Sequence, residues 1–239
     1  MYKGEYRETF IKPDIGTEVF AFEGSSHFAS VVDRPNRFVV NVNLDGRNIS
    51  CHLHDPGRLR ELIFPGNRVI IRKTKGLKTT FSVTAAYDSG EWVLTDTRVH
   101  SDIARKFLPE DIISETRIGN HRIDFRHGNT LIEVKGCTLL DGEIAVFPDA
   151  PTRRGLEHLQ ILREHVRNGG NAAIMVLVFR KNARCFLPNQ SMDPEFSEEF
   201  NNCIRDGVRT FIPRLLFENN KIFYGGNMEV CDSLFKQGH

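Results

Sequence analysis

The sequence lacks the patterns that direct a chain into a membrane or out of the cell. Its longest apolar run, residues 172–179, is far too short to span a bilayer. The N-terminal residues carry no apolar signal core, and the chain contains no internal repeat and no low-complexity stretch. We therefore expect a cytoplasmic protein with no membrane partner.

Closely spaced cysteine pairs are also missing. The 5 cysteines are odd in number, lie far apart and form no C-x-x-C pair, so we expect reduced thiols and no zinc. His52 and His54 share a strand face near Cys51 and Asp55, which leaves a metal site as an alternative. No second Cys or His pair follows at a zinc spacing, and the sequence Asp55-Pro-Gly is typical of a turn.

The chain has no large excess of positive or negative charge, since its formal net charge is +1. The distribution is nevertheless uneven, because residues 58–78 hold seven basic residues and one acidic residue. Such a patch is typical of a phosphate-binding surface, although a solvated barrel face would have the same composition. The candidate contacts are Arg58, Arg72, Lys73 and Lys75.

Residues 17–86 are rich in strand signals. Apolar positions alternate in residues 38–44 and 47–53 on both sides of Asp45-Gly46, a pattern that predicts a hairpin. Residues 69–72 and 79–86 supply further strands. Short strands with Gly and Pro between them favour a small OB-like barrel, with an SH3-like barrel or a simple sheet as alternatives.

The sequence pattern changes near residue 88 from strand-rich to mixed α/β, so we divide the chain into domains 1–87 and 88–239. The second domain has an α/β pattern, with helices expected at 102–108, after Thr152 and after Asp193. The apolar run at 172–179 predicts a central strand covered on both faces. Residues 208–213 and 215–223 are expected to form closing strands.

The candidate chemistry lies on a second predicted hairpin, with strands at 122–127 and 130–135 joined by Gly128-Asn129. Glu133 and Lys135 share one strand face, and the turn folds Asp124 towards Glu133. Two close carboxylates are typical ligands of Mg²⁺, and Lys135 would then orient a metal-bound water. The pattern D-x8-E-x-K is that of a phosphodiester-cleaving site, whereas a bare E-x-K is commonly a surface ion pair.

Two arginines lie at the start of the helix expected after Thr152. Arg153, Arg154 and His158 lie off the apolar stripe of this helix, near its N-terminus. A cation-rich first turn opposes the helix dipole, so it indicates an anion site rather than a structural choice. We expect these three side chains to contact a phosphate.

Several short motifs of the sequence resemble those of the sugar fermentation stimulation protein (SfsA) family. They are Arg122-Ile-Asp-Phe, Glu133-Val-Lys, Phe147-Pro-Asp-Ala, Thr152 to Gly155 with His158-Leu159, Phe186-Leu-Pro, Asp193-Pro, His54-Asp-Pro-Gly-Arg-Leu and Pro65-Gly66. The resemblance implies an α+β chain: a small OB-like barrel, then an α/β restriction-endonuclease-like PD-(D/E)xK domain with a mixed sheet, and DNA as the ligand. By resemblance Glu115 is a further acidic site residue. Ile123 departs from the pattern, which has Pro there.

The sequence therefore predicts a DNA-binding nuclease that uses Mg²⁺ or Mn²⁺. Asp124 and Glu133 would bind the metal, Lys135 would position water and Glu115 would assist. The alternatives are a DNA-binding or regulatory protein linked to sugar metabolism without hydrolysis, and a metal-dependent enzyme acting on a small phosphorylated molecule. The oligomeric state is open, with a homodimer as one option.

Overall fold

The structure is a computed structural model that describes residues 9–74 and 79–232. The first half of the chain forms seven strands: β1 Glu18–Ala21, β2 Ser26–Asn36, β3 Val39–Leu44, β4 Arg47–His52, β5 Arg68–Lys73, β6 Phe81–Asp88 and β7 Glu91–Leu94. The second half forms β8 Ile113–Ile118, β9 His121–His127, β10 Thr130–Cys137, β11 Leu139–Asp141, β12 Ile144–Phe147, β13 Asn171–Val178, β14 Cys185–Pro188, β15 Arg209–Glu218 and β16 Lys221–Met228. The helices are α1 His100–Arg105, α2 Arg153–Arg167 and α3 Pro194–Arg205.

Five strands close into a barrel. β2 pairs with β3 and β5, β3 pairs with β4, β5 pairs with β6, and β4 completes the ring by a short parallel contact with β6. The predicted β3–β4 hairpin is confirmed, and its turn residues Asp45 and Gly46 have φ of 50° and 81°. Alternating residues such as Val40 and Val42 point inwards and are fully buried. This strand order is that of an OB fold.

The barrel wall continues into the sheet of the second domain through β7. This strand pairs with β6 on one side and with β15 on the other, where Trp92 lies opposite Phe217. From β7 the sheet order is β15, β13, β10, β9 and β8. β1 crosses the predicted division, because it pairs with β16.

β13 is the centre of the mixed sheet. It runs parallel to β10 and β15, while β8 and β9 add an antiparallel edge. Its even-numbered residues from Ala172 to Val178 pack into the core beneath α2 and α3, and its odd-numbered residues pack into the core shared with the barrel. Two buried faces explain the continuous apolar run, and the prediction of a central strand is confirmed.

The structure corrects several boundaries. The helix predicted at 102–108 begins earlier and is shorter, as α1. β15 runs without a break from the first predicted closing strand into the second, and it forms a hairpin with β16 whose turn is at Asn219-Asn220. The pairing of β11, β12 and β14 into a separate small sheet was not predicted.

A buried arginine ties the barrel to the second domain. Arg180 is 1% exposed, and its Nη1 lies 2.6 Å from Asp88 Oδ2 and 3.4 Å from Glu91 Oε1. Its Nε donates to the carbonyl of Thr138 at 2.5 Å. Because a buried charge is costly without partners, this network opposes separation of the β6–β7 hairpin from the second domain.

The prediction that all five cysteines are reduced thiols is wrong for one pair. Cys185 and Cys231 form a disulfide across 46 residues of sequence. They meet because β14 forms a parallel bridge between Phe186 and Val230, a contact with no local signal. Cys51, Cys137 and Cys203 are buried and free.

No helix in residues 9–74 and 79–232 combines the length and the apolar character needed to cross a membrane.

Candidate active site

The predicted hairpin of β9 and β10 is present and carries the three central side chains. The ladder pairs Thr130 with His127 and Ile132 with Phe125. Beyond Ile132 the backbone pairing stops, and the carboxylate of Asp124 takes its place by accepting a 2.7 Å hydrogen bond from the Val134 N–H. Asp124 is thereby held against the strand that bears Glu133.

Glu133 is the most enclosed carboxylate of this cluster, at 2% exposure. Its Oε1 lies 2.5 Å from Lys135 Nζ and 2.5 Å from His158 Nδ1. Its Oε2 is also buried but has no hydrogen-bond partner in the described part of the chain. A buried carboxylate oxygen without a partner is costly, so this atom is a natural ligand for a cation.

The two carboxylates have opposite pKa shifts. Burial, together with the charge of the neighbouring Glu133, raises the pKa of Asp124 to about 6. Burial also acts to raise the pKa of Glu133, but Lys135 and His158 outweigh burial and hold this pKa below its ordinary value. Glu133 is therefore ionised across the neutral range, beside a second carboxylate that its charge disfavours.

In residues 9–74 and 79–232, no three side chains of His, Cys, Asp or Glu form a ready-made metal-binding group. The cluster offers two carboxylates, Asp124 and Glu133. A cation here would take its remaining ligands from water and from a bound phosphate, which is the common arrangement for Mg²⁺.

Helix α2 begins beside this cluster. Thr152 caps it by accepting a hydrogen bond from the Gly155 N–H at 3.1 Å. Gly155 is needed because an added Cβ would lie 2.8 Å from the Thr152 side chain. Arg153 and Arg154 are both exposed at this end of the helix.

The structure places His158 differently from the prediction. Its imidazole is 3% exposed and is directed at Glu133, so it is not free to contact a phosphate. Arg154 Nε approaches the other ring nitrogen at 3.4 Å. We therefore assign His158 to the orientation of Glu133. His121, whose ring lies 5.8 Å from that of His158, was not identified from the sequence, because a lone histidine at a strand start carries no signal.

Glu115 lies on β8, the strand next to β9. The flanking pairs Ser114–Phe125 and Thr116–Ile123 place it opposite Asp124 in the ladder. Its backbone has a φ of 55°. The side chain is 63% exposed and pairs with Arg122 at 3.1 Å.

The basic segment is divided by burial. Arg58 and Lys73 are exposed, and Lys75 lies outside the described residues. Arg72 is only 7% exposed. Its Nη1 donates to the carbonyls of Glu23 and Gly24, so the prediction of a phosphate contact at Arg72 is corrected to a structural role.

Two of the motifs that resemble the family, His54 to Leu59 and Phe147 to Ala150, are in contact at the domain junction. Asp149 Oδ2 accepts a 3.2 Å hydrogen bond from the Leu59 N–H. A Cβ at Gly57 would lie 2.5 Å from the same oxygen, so only glycine permits this approach. Burial, with a smaller contribution from the charge of Asp149, raises the pKa of Asp55 to about 6. The loop bearing Arg58 is thus anchored three residues before Thr152, near the start of α2.

The fold combines a five-stranded OB barrel with a mixed α/β domain, and one hairpin of the second domain carries two carboxylates and a lysine. Comparison with family models finds the same combination of domains. Residues 32–95 match the family model described as SfsA N-terminal OB domain, and residues 93–221 match the Sugar fermentation stimulation protein RE domain. The chain belongs to the sugar fermentation stimulation protein (SfsA) family.

Individual relatives cover nearly the whole chain. A sugar fermentation stimulation protein homolog of Saccharolobus solfataricus is 51% identical over 216 residues, 90% of each chain. One from Sulfolobus acidocaldarius is 46% identical over 87% of this chain and 92% of its own. The solved structure of Pyrococcus furiosus SfsA in complex with Ca²⁺ superposes with a TM-score of 0.81 and 24% identity, covering 90% of this chain and 100% of that chain. This last likeness concerns the fold.

Proposed function

We propose that this protein is a nuclease that hydrolyses phosphodiester bonds in DNA with Mg²⁺ or Mn²⁺ bound at Asp124 and Glu133. The observation that carries the proposal is the buried Oε2 of Glu133, which has no partner among the described residues and lies on the carboxylate next to Asp124. A hard divalent cation would satisfy this oxygen and offset the repulsion between the two carboxylates.

The donor set fits such a cation. Both candidate ligands are carboxylate oxygens, the type that Mg²⁺, Mn²⁺ and Ca²⁺ prefer. The Pyrococcus furiosus relative was solved in complex with Ca²⁺, a cation of the same hard class. When bound, the cation would supply an activated water and would stabilise negative charge on the attacked phosphate.

The surrounding side chains have distinct tasks in this proposal. His158 and Lys135 both hold Glu133 Oε1, which leaves Oε2 available for the cation. Lys135 is 15% exposed at its side chain, so its ammonium is close enough to solvent to orient a water. Glu115, which pairs with Arg122 here, keeps the assisting role proposed from the family resemblance.

The phosphate side of the site is basic. The exposed side chains of Arg153 and Arg154 lie at the N-terminus of α2, where the helix dipole also attracts anions. On the barrel, Arg58 and Lys73 are exposed, and Arg58 precedes Leu59, whose N–H donates to Asp149 near the start of α2. DNA held by these groups should bind in a strongly salt-dependent manner.

The test is a panel of single-stranded and duplex DNA incubated with Mg²⁺, Mn²⁺ or chelator, using wild type and Asp124→Ala. We expect metal-dependent cleavage by wild type alone, with similar DNA binding by both proteins. Cleavage of equal rate by highly purified Asp124→Ala would exclude this site. Salt-sensitive binding without any cleavage would instead favour a DNA-binding protein that does not hydrolyse.

A further inference from the structure

A groove away from the carboxylate cluster lies where the barrel meets the second domain. Its volume is about 490 Å³. The barrel side contributes Phe28, Ile70 and Trp92, and the opposite side is formed by Lys181 and residues 216–220 around the β15–β16 turn. We call it the Trp92 groove, and Trp92 is the only tryptophan in the chain.

The barrel wall of the Trp92 groove is aromatic and accessible. Phe28 is 70% exposed, and its ring lies 5.5 Å from that of Trp92, tilted by 35°. Tyr87 packs on Trp92 at 5.3 Å, and the guanidinium of Arg68 lies 3.7 Å above the Tyr87 ring. Exposing a large aromatic ring forfeits burial energy, so a supported and open ring of this kind indicates a surface that a flat ligand covers.

The charges of the groove favour a neutral ligand. Lys181, Glu91 and Glu218 line it, and Glu91 is paired with Arg180 at 3.4 Å, so no excess of positive charge is present as it would be in a phosphate site. Lys181 Nζ already donates to the carbonyl of Gly90 at 3.0 Å. Asn219 and Asn220 add side-chain amides, which donate and accept hydrogen bonds. A flat aromatic ring with donors and acceptors on its edge meets all of these conditions, and a nucleobase is such a ring.

We propose that the Trp92 groove binds an unpaired base of a single-stranded nucleic acid, which stacks on Phe28 and Trp92 and presents its edge to Asn219 and Asn220. A base within a duplex has both faces covered by its neighbours and cannot stack on protein side chains. The inference deepens the proposed function, on which it rests for the DNA substrate, by specifying single-stranded DNA.

The groove and the carboxylate cluster are connected by one strand. Trp92 lies opposite Phe217 on β15, and seven residues earlier on the same strand Thr210 lies opposite Ile174, the partner of Glu133. At about 3.3 Å per residue, the two sites are roughly 20–25 Å apart along β15.

Tryptophan fluorescence tests the proposal directly, because all of it comes from Trp92. The protein is titrated with oligothymidylate, duplex DNA of the same length and thymidine monophosphate, in chelator so that no strand is cut. We expect quenching by the single strand, and little by the duplex. Phe28→Ala should weaken single-strand binding on the order of 10- to 100-fold, which is the usual contribution of one stacked base.

Phe64→Ala is the matched control, since Phe64 is also exposed, at 45%, and does not line the groove. Equal quenching by duplex, equal affinity of Phe28→Ala and wild type, or quenching by the mononucleotide alone would each overturn the proposal. Cleavage without quenching would refute the groove and leave the nuclease proposal standing. Quenching by the single strand, with no cleavage when metal is present, would support the groove and refute the nuclease proposal.

Discussion

His158 Nδ1 lies 2.5 Å from Glu133 Oε1, in a contact where both side chains are almost fully buried. The histidine comes from the second turn of α2 and the glutamate from the middle of β10, so the contact fixes a carboxylate of the sheet from the helix that covers it. A group that fixes a metal ligand tunes the affinity of the site without touching the ion itself.

His158→Gln should therefore weaken Mn²⁺ binding by about 10- to 100-fold, measured by calorimetric titration. His165→Gln is the control, because His165 lies on the same helix but contacts the Asn129 carbonyl. A purely structural role for His158 would lower the melting temperature and leave the Mn²⁺ affinity of the folded protein unchanged, which would contradict our assignment.

The raised pKa of Asp55 predicts a pH-dependent stability. Burial raises this pKa to about 6 in the folded protein, against 3.8 in the unfolded chain. The folded state thus binds this proton more tightly than the unfolded chain does. The protonated carboxyl of Asp55 therefore contributes its full stabilisation below about pH 4, and this stabilisation is lost as pH rises through 6. The loss is at most about 3 kcal/mol.

Asp55→Asn removes this titration and keeps an oxygen for the Gly57 N–H. We expect the variant to gain stability over wild type as pH rises from 4.5 to 7.5, measured by urea denaturation at each pH. Because both proteins are compared at the same pH, other titrating groups cancel. A stability difference that does not change with pH would show that Asp55 is ionised without cost.

The disulfide predicts sensitivity to reductant. Cys185 and Cys231 close a loop of 46 residues, so breaking this link should lower the free energy of unfolding by roughly 2–4 kcal/mol. Guanidinium denaturation with and without reductant measures the effect. The Cys185→Ser variant is the control and should unfold at the same denaturant concentration in both conditions. A wild type indifferent to reductant would disprove the link in solution.

Two arginines of the basic segment should behave differently on substitution. Arg58→Gln should weaken DNA binding and reduce its salt dependence by about one counterion, since Arg58 is exposed. Arg72→Gln should instead lower stability by roughly 1–3 kcal/mol, because its buried guanidinium donates to the carbonyls of Glu23 and Gly24. Binding titrations at several salt concentrations, together with denaturation, separate the two effects. The reverse pattern would contradict the division by burial.

Local patterns predicted much of the fold and the hairpin that bears the candidate site. The turn at Gly128 and the alternation of strand residues suffice to put Glu133 and Lys135 on one face and Asp124 across from them. The same two signals predicted β3 and β4 in the barrel. In these elements the determining residues are neighbours in sequence.

Side-chain environments set by distant segments could not be predicted. Arg72 is buried because carbonyls 48 and 49 residues upstream and the ring of Phe22 surround it. His158 turns to a glutamate 25 residues away, and Cys185 meets a partner from beyond β16. None of these neighbours leaves a periodic trace in the sequence around the residue.

The most direct test of the central claim is the rate of DNA cleavage in Mn²⁺ by Glu133→Gln. This change keeps the shape of the side chain and removes the charge that would hold the cation. We expect a loss of at least about 100-fold, consistent with losing several kcal/mol of metal-assisted stabilisation, while Glu143→Gln, at an exposed ion pair with Arg184, should cleave like wild type. Equal cleavage by Glu133→Gln and wild type would contradict it.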